Sequence, residues 1–125
     1  MNENELSKLV IGECIKVHSQ LGPGLLESVY SECISYRLTN SGLCIETQKP
    51  IPLVYEEVKL QCGFRCDIIV ESKLIIEIKA VESLNDIHLA QLLTYLRLTN
   101  LKLGLLLNFN VLSLKDGIKR VVNNL

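Results

Sequence analysis

"CDIIVESKLIIEIKAV", residues 66–81, joins two apolar runs across a short polar turn, and both runs carry charge. Asp67 opens the first run; Glu77 and Lys79 interrupt the second. Nearly continuous apolar runs of this length read as strands covered on both faces. Charged groups in such strands are costly unless they are paired or hold a metal. If Glu71, Ser72 and Lys73 form the turn, Asp67 falls directly opposite Glu77, with Cβ atoms roughly 4.5–5.5 Å apart. Glu77 and Lys79 share a face because strand side chains alternate with period two. A register slip of one residue would send Asp67 to the other face, so the arrangement stands or falls with the turn.

Two carboxylates that close repel each other unless one takes a proton or a cation sits between them. A hard divalent ion such as Mg²⁺ or Mn²⁺ suits a sparse oxygen-ligand site. Lys79 beside it is placed to orient a nucleophile or to stabilise charge developing on a phosphate. These groups together form a kit for hydrolysing a phosphodiester. An E-x-K triplet alone is a weak signal, and the competing reading is a hairpin bearing an ordinary lysine–carboxylate pair. The aspartate mirrored across the turn is the added information.

Outward from this hairpin, residues 4–21 carry Leu6, Leu9, Val10, Ile15, Val17 and Leu21 at helical spacing, with Asn4 as cap and "GPG" at 22–24 as stop. A second helix is predicted from Leu25 to Asn40 on the stripe Leu26, Val29, Tyr30, Cys33 and Ile34. "CIETQ", "IPLVYE", "VKLQCGFRCDIIV" and "KLIIEIKAV" read as four antiparallel strands. "SLNDIHLAQLLTYLRLT" returns to helical spacing, "LGLLLNF" at 103–109 reads as a central strand, and "SLKDGIKRVVNNL" reads as a closing helix weakened by Gly117. The order αα-ββββ-α-β-α predicts an α/β, α+β sandwich: a mixed sheet flanked by helices, in a single domain over 1–125.

Of the 125 residues, 48% are hydrophobic and the net charge is −1, which fits a globular chain and argues against a strongly basic, non-specific nucleic-acid binder. No apolar run is long enough to span a bilayer, and "MNENELSK" lacks a signal-peptide pattern, so no membrane partner is expected. Five cysteines without a secretory signal imply reduced thiols in a cytoplasmic setting. Cys62 and Cys66 in "CGFRC" make at most half a zinc site, and buried small hydrophobes are the preferred reading.

The pattern Asp67…Glu77-x-Lys79 resembles the PD-(D/E)xK nuclease superfamily, with Cys66 standing where its name has proline. "GLLESVY" at 24–30 is similar to the G-x-x-E-x-x-Y signature of the GxxExxY proteins within it, and "FRCDIIV", "IIEIKAV", "HLAQLLTYL" and "LLLNF" extend the likeness over almost the whole chain. The resemblance implies a restriction-endonuclease-like core and a Mg²⁺- or Mn²⁺-dependent nuclease acting on DNA or RNA through a metal-activated water. It implies Glu27 as a third ligand beside Asp67 and Glu77. Gln91 and Tyr95, four apart on one helix face, resemble a Q-x-x-x-Y element in which the glutamine contacts the lysine or the substrate. Tyr30 either adds a hydroxyl to the site or fills core. The alternative is a non-catalytic nucleic-acid- or protein-binding module that keeps the nuclease fold. Positive mean hydropathy, and the grip a small nuclease gains by doubling its contacts, make a homodimer compatible with the chain. Its shortness and near-neutral charge make a partner protein that presents substrate compatible as well.

Overall fold

The computed structural model describes residues 1–125, the side chain of Cys62 excepted; the expectation for that cysteine lies outside the described residues. Helix α1 spans Glu3–Leu21. Its N-cap is Asn2 rather than Asn4: the Asn2 side chain accepts from the Glu5 amide while the Glu5 carboxylate accepts from the Asn2 amide. This reciprocal pair satisfies donors that a helix start leaves open. Leu6, Val10, Cys14 and Val17 form its buried stripe, and Gly22, at φ 73, ends it. Helix α2 spans Glu27–Asn40 and buries Tyr30, Ile34 and Leu38, one residue per turn.

Strands β1 (Ile45–Tyr55), β2 (Val58–Val70) and β3 (Leu74–Lys79) form an antiparallel meander. Helix α3 (Asp86–Thr99) then crosses to β4 (Leu103–Asn108), which runs parallel to β3. A short 3-10 turn, Leu114–Gly117, leads to β5 (Ile118–Val122), antiparallel to β4. The spatial order of the mixed five-stranded sheet follows the chain, β1-β2-β3-β4-β5. One face is covered by α1 and α2 over Ile68, Leu74, Ile76, Ile78, Leu105 and Leu107. The other is covered by α3, whose Leu92, Tyr95 and Leu96 meet Ile69, Ile75 and Leu106. This two-sided cover explains why "LIIEIK" and "LGLLLN" are apolar at almost every position.

The α+β class, with a mixed sheet between helices, is the expected one; two elements differ from the expected order. "CIETQ" and "IPLVYE" are one strand, β1, because β1 lies at the sheet edge, where Pro50 and Pro52 lose no ladder bond that the sheet requires. The closing segment is a 3-10 turn and a strand rather than a helix. Gly117 is buried, and a Cβ there would stand 2.2 Å from the Asn108 carbonyl oxygen. That contact fixes the turn, and the following β-branched Ile118, Val121 and Val122 supply β4 with a hydrogen-bonding neighbour. Cys66 is buried, as the reading of "CGFRC" expects; of the other described cysteines Cys14 is buried, Cys33 partly so, and Cys44 exposed. No helix is long and apolar enough to cross a membrane.

Candidate functional site

The β2–β3 ladder pairs Val70 with Leu74, Ile69 with Ile75 and Ile68 with Ile76. The turn between them is Glu71–Lys73, tightened by left-handed backbone at Glu71 and Ser72 (φ 54 and 52). One step further along this register Asp67 stands opposite Glu77. There the strands part, and side chains replace the backbone ladder. The Asp67 amide donates to Glu77 Oε1 at 3.1 Å, and the Ile78 amide donates to Asp67 Oδ2 at 2.8 Å. Each carboxylate is thereby fixed against the opposing strand through one oxygen. The described residues donate no hydrogen bond to Asp67 Oδ1 or Glu77 Oε2.

Glu77 is only 5% exposed. Burial, and then the negative charge of Asp67, push its carboxyl up to about 8, against the opposing pull of the Asp67 amide and the Lys79 ammonium. The same surroundings act on neighbours. Burial, then Glu77 and Asp67, push the Cys66 thiol up to about 12, and burial, then Glu77, raise Tyr95. Lys79 is half-buried and close enough to favour the Glu77 anion, yet it forms no ion pair among the described residues. The reading of an ordinary lysine–carboxylate bridge is therefore not what the side chains make.

Glu27 enters from the first turn of α2. Its Oε2 accepts from the Ala80 amide at 2.8 Å, which ties the helix to the peptide that follows Lys79. Glu27 and Asp67 line one pocket of about 180 Å³ together with Ser28, Ser31 and Gln48. Among the described residues, however, no three His, Cys, Asp or Glu groups are placed to hold a metal ion. The expected ligand trio of Glu27, Asp67 and Glu77 is thus not gathered at one point among the described residues: Glu27 and Asp67 line a pocket whose walls do not include Glu77. What remains is a two-carboxylate set with a third carboxylate at its rim. In donor chemistry it suits a hard divalent cation: Asp67 Oδ1 and Glu77 Oε2 are carboxyl oxygens that accept no hydrogen bond from the described residues.

The G-x-x-E-x-x-Y spacing has a structural account. Gly24 takes φ 94 in the loop before α2. Tyr30 is fully buried and stacks on Phe109 with centroids 4.5 Å apart. Its hydroxyl donates to the Gly22 carbonyl at 2.6 Å and accepts from the Leu25 amide at 3.2 Å. The tyrosine therefore clasps the loop that aims Glu27, and its hydroxyl does not reach the carboxylates. Tyr95 is buried with Phe64 beside it, at a centroid distance of 5.9 Å. Gln91 is exposed on α3 and bonds to none of the described residues, so no contact joins it to Lys79.

Sequence reasoning missed Asn108. At 2% exposure, its Oδ1 accepts from the amides of Val81 and Asn110, both at 3.1 Å, and its Nδ2 donates to the Val81 carbonyl at 2.9 Å. The Phe109 amide donates to the Lys79 carbonyl at 2.8 Å. Together with Glu27, these bonds hold the backbone from Lys79 to Val81 at four points. The only signal in the sequence was a single polar residue closing an apolar strand.

The sequence profile described as the PD-(D/E)XK nuclease superfamily matches residues 4–121. No match was found among curated proteins or among solved structures. The match takes in every helix nearly entire, all five strands but for one terminal residue, and each of the side chains above: the chain belongs to the PD-(D/E)XK nuclease superfamily.

Proposed function

We propose that this chain is a metal-dependent nuclease of the GxxExxY type, a single domain that hydrolyses phosphodiester bonds in DNA or RNA in a cytoplasmic setting. The observation that carries the reading is the braced pair Asp67 and Glu77, with Lys79 two residues further along the same strand and not consumed by an ion pair. Asp67 and Glu77 would hold Mg²⁺ or Mn²⁺, with Glu27 at the rim reaching it directly or through solvent. When bound, the cation supplies Lewis-acid polarisation of a phosphoryl oxygen and lowers the pKa of a nearby water.

The chain's own groups do the rest. The Lys79 ammonium stabilises negative charge gathering on the phosphoryl oxygens, or orients the attacking water, from a half-buried position where charge is weakly screened. Asn108 and Glu27 keep the Lys79 peptide from shifting, which matters because misplacement of about 1 Å costs ~10²-fold in rate. Tyr95 closes the site on the α3 side and lowers the local dielectric around Glu77. Gln91, exposed and bonded to none of the described residues, would meet substrate rather than the lysine. The test is a Mg²⁺- and Mn²⁺-dependent cleavage panel over single- and double-stranded DNA and RNA. Metal-dependent cleavage of any one of these supports the reading; no cleavage of any, by protein that binds metal, leaves a binding module that keeps the nuclease fold.

A further inference from the structure

His18 stands in the last turn of α1 and is only 4% exposed. A histidine in that position ordinarily turns to the open carbonyls of its own helix. This one crosses to the far end of the chain: its Nε2 lies 3.1 Å from the carbonyl oxygen of Phe109. A carbonyl oxygen has no proton to give, so Nε2 carries the hydrogen and donates it. Phe109 is fully buried and lies one residue past the end of β4, beyond the last rungs of the ladders on either side, Lys79 with Asn108 and Leu107 with Ile118. The described residues offer its carbonyl no backbone donor, and a buried carbonyl left without one is costly. The contact is one side of a closed circuit. The Gly22 amide donates to the His18 carbonyl, the Tyr30 hydroxyl donates to the Gly22 carbonyl, and the Tyr30 ring stacks on Phe109. The circuit ties the ends of α1 and β4 to the first turn of α2. Two bonds lead from it to the site: the Phe109 amide donates to the Lys79 carbonyl, and Glu27, one turn before Tyr30, accepts from the Ala80 amide.

We propose that His18 is a positioning residue: by donating from Nε2 to the Phe109 carbonyl it fixes the residue whose amide holds Lys79, and so sets where the lysine stands relative to Asp67 and Glu77. The inference rests on the nuclease reading and adds to it a residue of α1 that touches neither substrate nor cation. Its leverage comes from one peptide unit. The Phe109 carbonyl and the Asn110 amide belong to the same planar group. His18 holds that group by its oxygen, and Asn108 Oδ1 holds it by its nitrogen at 3.1 Å. Asn108 Oδ1 also accepts from the Val81 amide, two residues after Lys79. Without the His18 donor the peptide is free to turn, and the turn pulls on Asn108 from one side and on the Phe109–Lys79 bond from the other.

The test compares His18→Leu, which keeps an apolar body and removes the donor, with His18→Gln, whose carboxamide nitrogen can donate in its place. Val10→Ala, a buried position on the same helix, controls for lost stability. Mn²⁺-dependent cleavage of single- and double-stranded DNA and RNA is measured beside hydrogen exchange at the Phe109 amide, with the Leu105 amide in the middle of β4 as reference. His18→Leu is expected to lower kcat about 10- to 100-fold per folded molecule, with KM and the Mn²⁺-induced thermal shift near those of wild type. It should also speed exchange at Phe109 relative to Leu105. His18→Gln should retain most of the wild-type behaviour in both readouts, and Val10→Ala should change neither. The proposal is overturned if Phe109 exchanges in His18→Leu as it does in wild type, if His18→Gln is no better than His18→Leu, or if Val10→Ala matches them. A nitrogen NMR spectrum of wild type showing the His18 proton on Nδ1 overturns it whatever the variants do. Lys79-dependent cleavage with Phe109 exchange unaltered in His18→Leu removes the role of His18 and leaves the nuclease reading standing. Faster Phe109 exchange in His18→Leu alone, in a protein that cleaves nothing, keeps the hold of His18 on the Lys79 peptide and removes the nuclease reading.

Discussion

Glu77→Gln separates the electrostatics of the site from its shape. The carboxamide can still accept the Asp67 amide that Glu77 Oε1 accepts now, so the brace between β2 and β3 survives. What disappears is a buried acid whose carboxyl is raised from 4.5 to about 8. Between those values the folded state holds a proton that the unfolded chain has released, so wild-type stability falls as pH rises through that window. At ~1.36 kcal/mol per unit the ceiling on this loss is about 5 kcal/mol, and relaxation and water entry lower it. Even a third of that ceiling corresponds to about 6 °C in Tm for a chain of this length, at an unfolding entropy of ~2.1 cal/mol/K per residue. In EDTA, wild type and Glu77→Gln should melt together near pH 4.5, and the variant should melt several degrees higher at pH 9. Saturating Mn²⁺ should reverse the order at high pH, because a ligand at about 100 times its Kd stabilises the fold that binds it by ~2.7 kcal/mol. The reasoning is refuted if the Tm difference does not change with pH, or if the variant is the less stable protein at pH 9 in EDTA.

Tyr30→Phe should lower stability by about 1–3 kcal/mol, because it leaves the Gly22 carbonyl and the Leu25 amide without their partner; denaturant melts measure it. The same variant should lose turnover beyond what its folded fraction explains, since the loop aims Glu27. Gly117→Ala should destabilise by about 1–3 kcal/mol or more, as its new methyl would meet backbone at Asn108 rather than a movable side chain; unchanged melts would mean that the 3-10 turn shifts freely. Gln91→Ala should leave stability within ~0.5 kcal/mol, given its exposed position without partners, while raising KM in cleavage assays. A large fall in Tm there would make it a structural residue.

The register of the hairpin followed from residues 66–81 only on the condition of a three-residue turn, because runs apolar on both faces do not choose a face by themselves. The mirrored charges of Asp67 and Glu77 were what suggested it, and the ladder has that register. The first three helices were legible from their apolar spacing, with ends displaced by a few residues at most. The stripe read for α2 was only partly right: Tyr30 and Ile34 are buried, Leu26 and Val29 are exposed, and Leu38, which was not read, completes the buried row. The role of Tyr30 was not legible: its partners at Gly22 and Leu25 are near in sequence, but whether a tyrosine hydroxyl turns to its own loop or to a cleft depends on what stacks beneath it, here Phe109. Asn108 was harder still, since its partner Val81 lies across a parallel pairing that α3 creates. The final strand was misread because Gly117 weakens a helix in any sequence, whereas its contact with the Asn108 carbonyl exists only in the fold. Edge position, likewise a property of the whole sheet, is what lets β1 run through two prolines.

In the proposed function Asp67, Glu77 and Lys79 form one hydrolytic site in which the lysine acts on substrate and does not hold the cation. The most direct measurement is Mn²⁺-dependent cleavage by wild type and Lys79→Ala at matched concentration, with Mn²⁺-induced thermal shifts recorded on the same preparations. Lys79→Ala is expected to lose cleavage while keeping a thermal shift close to that of wild type. Equal cleavage by the two proteins would contradict it, and so would loss of the thermal shift together with cleavage.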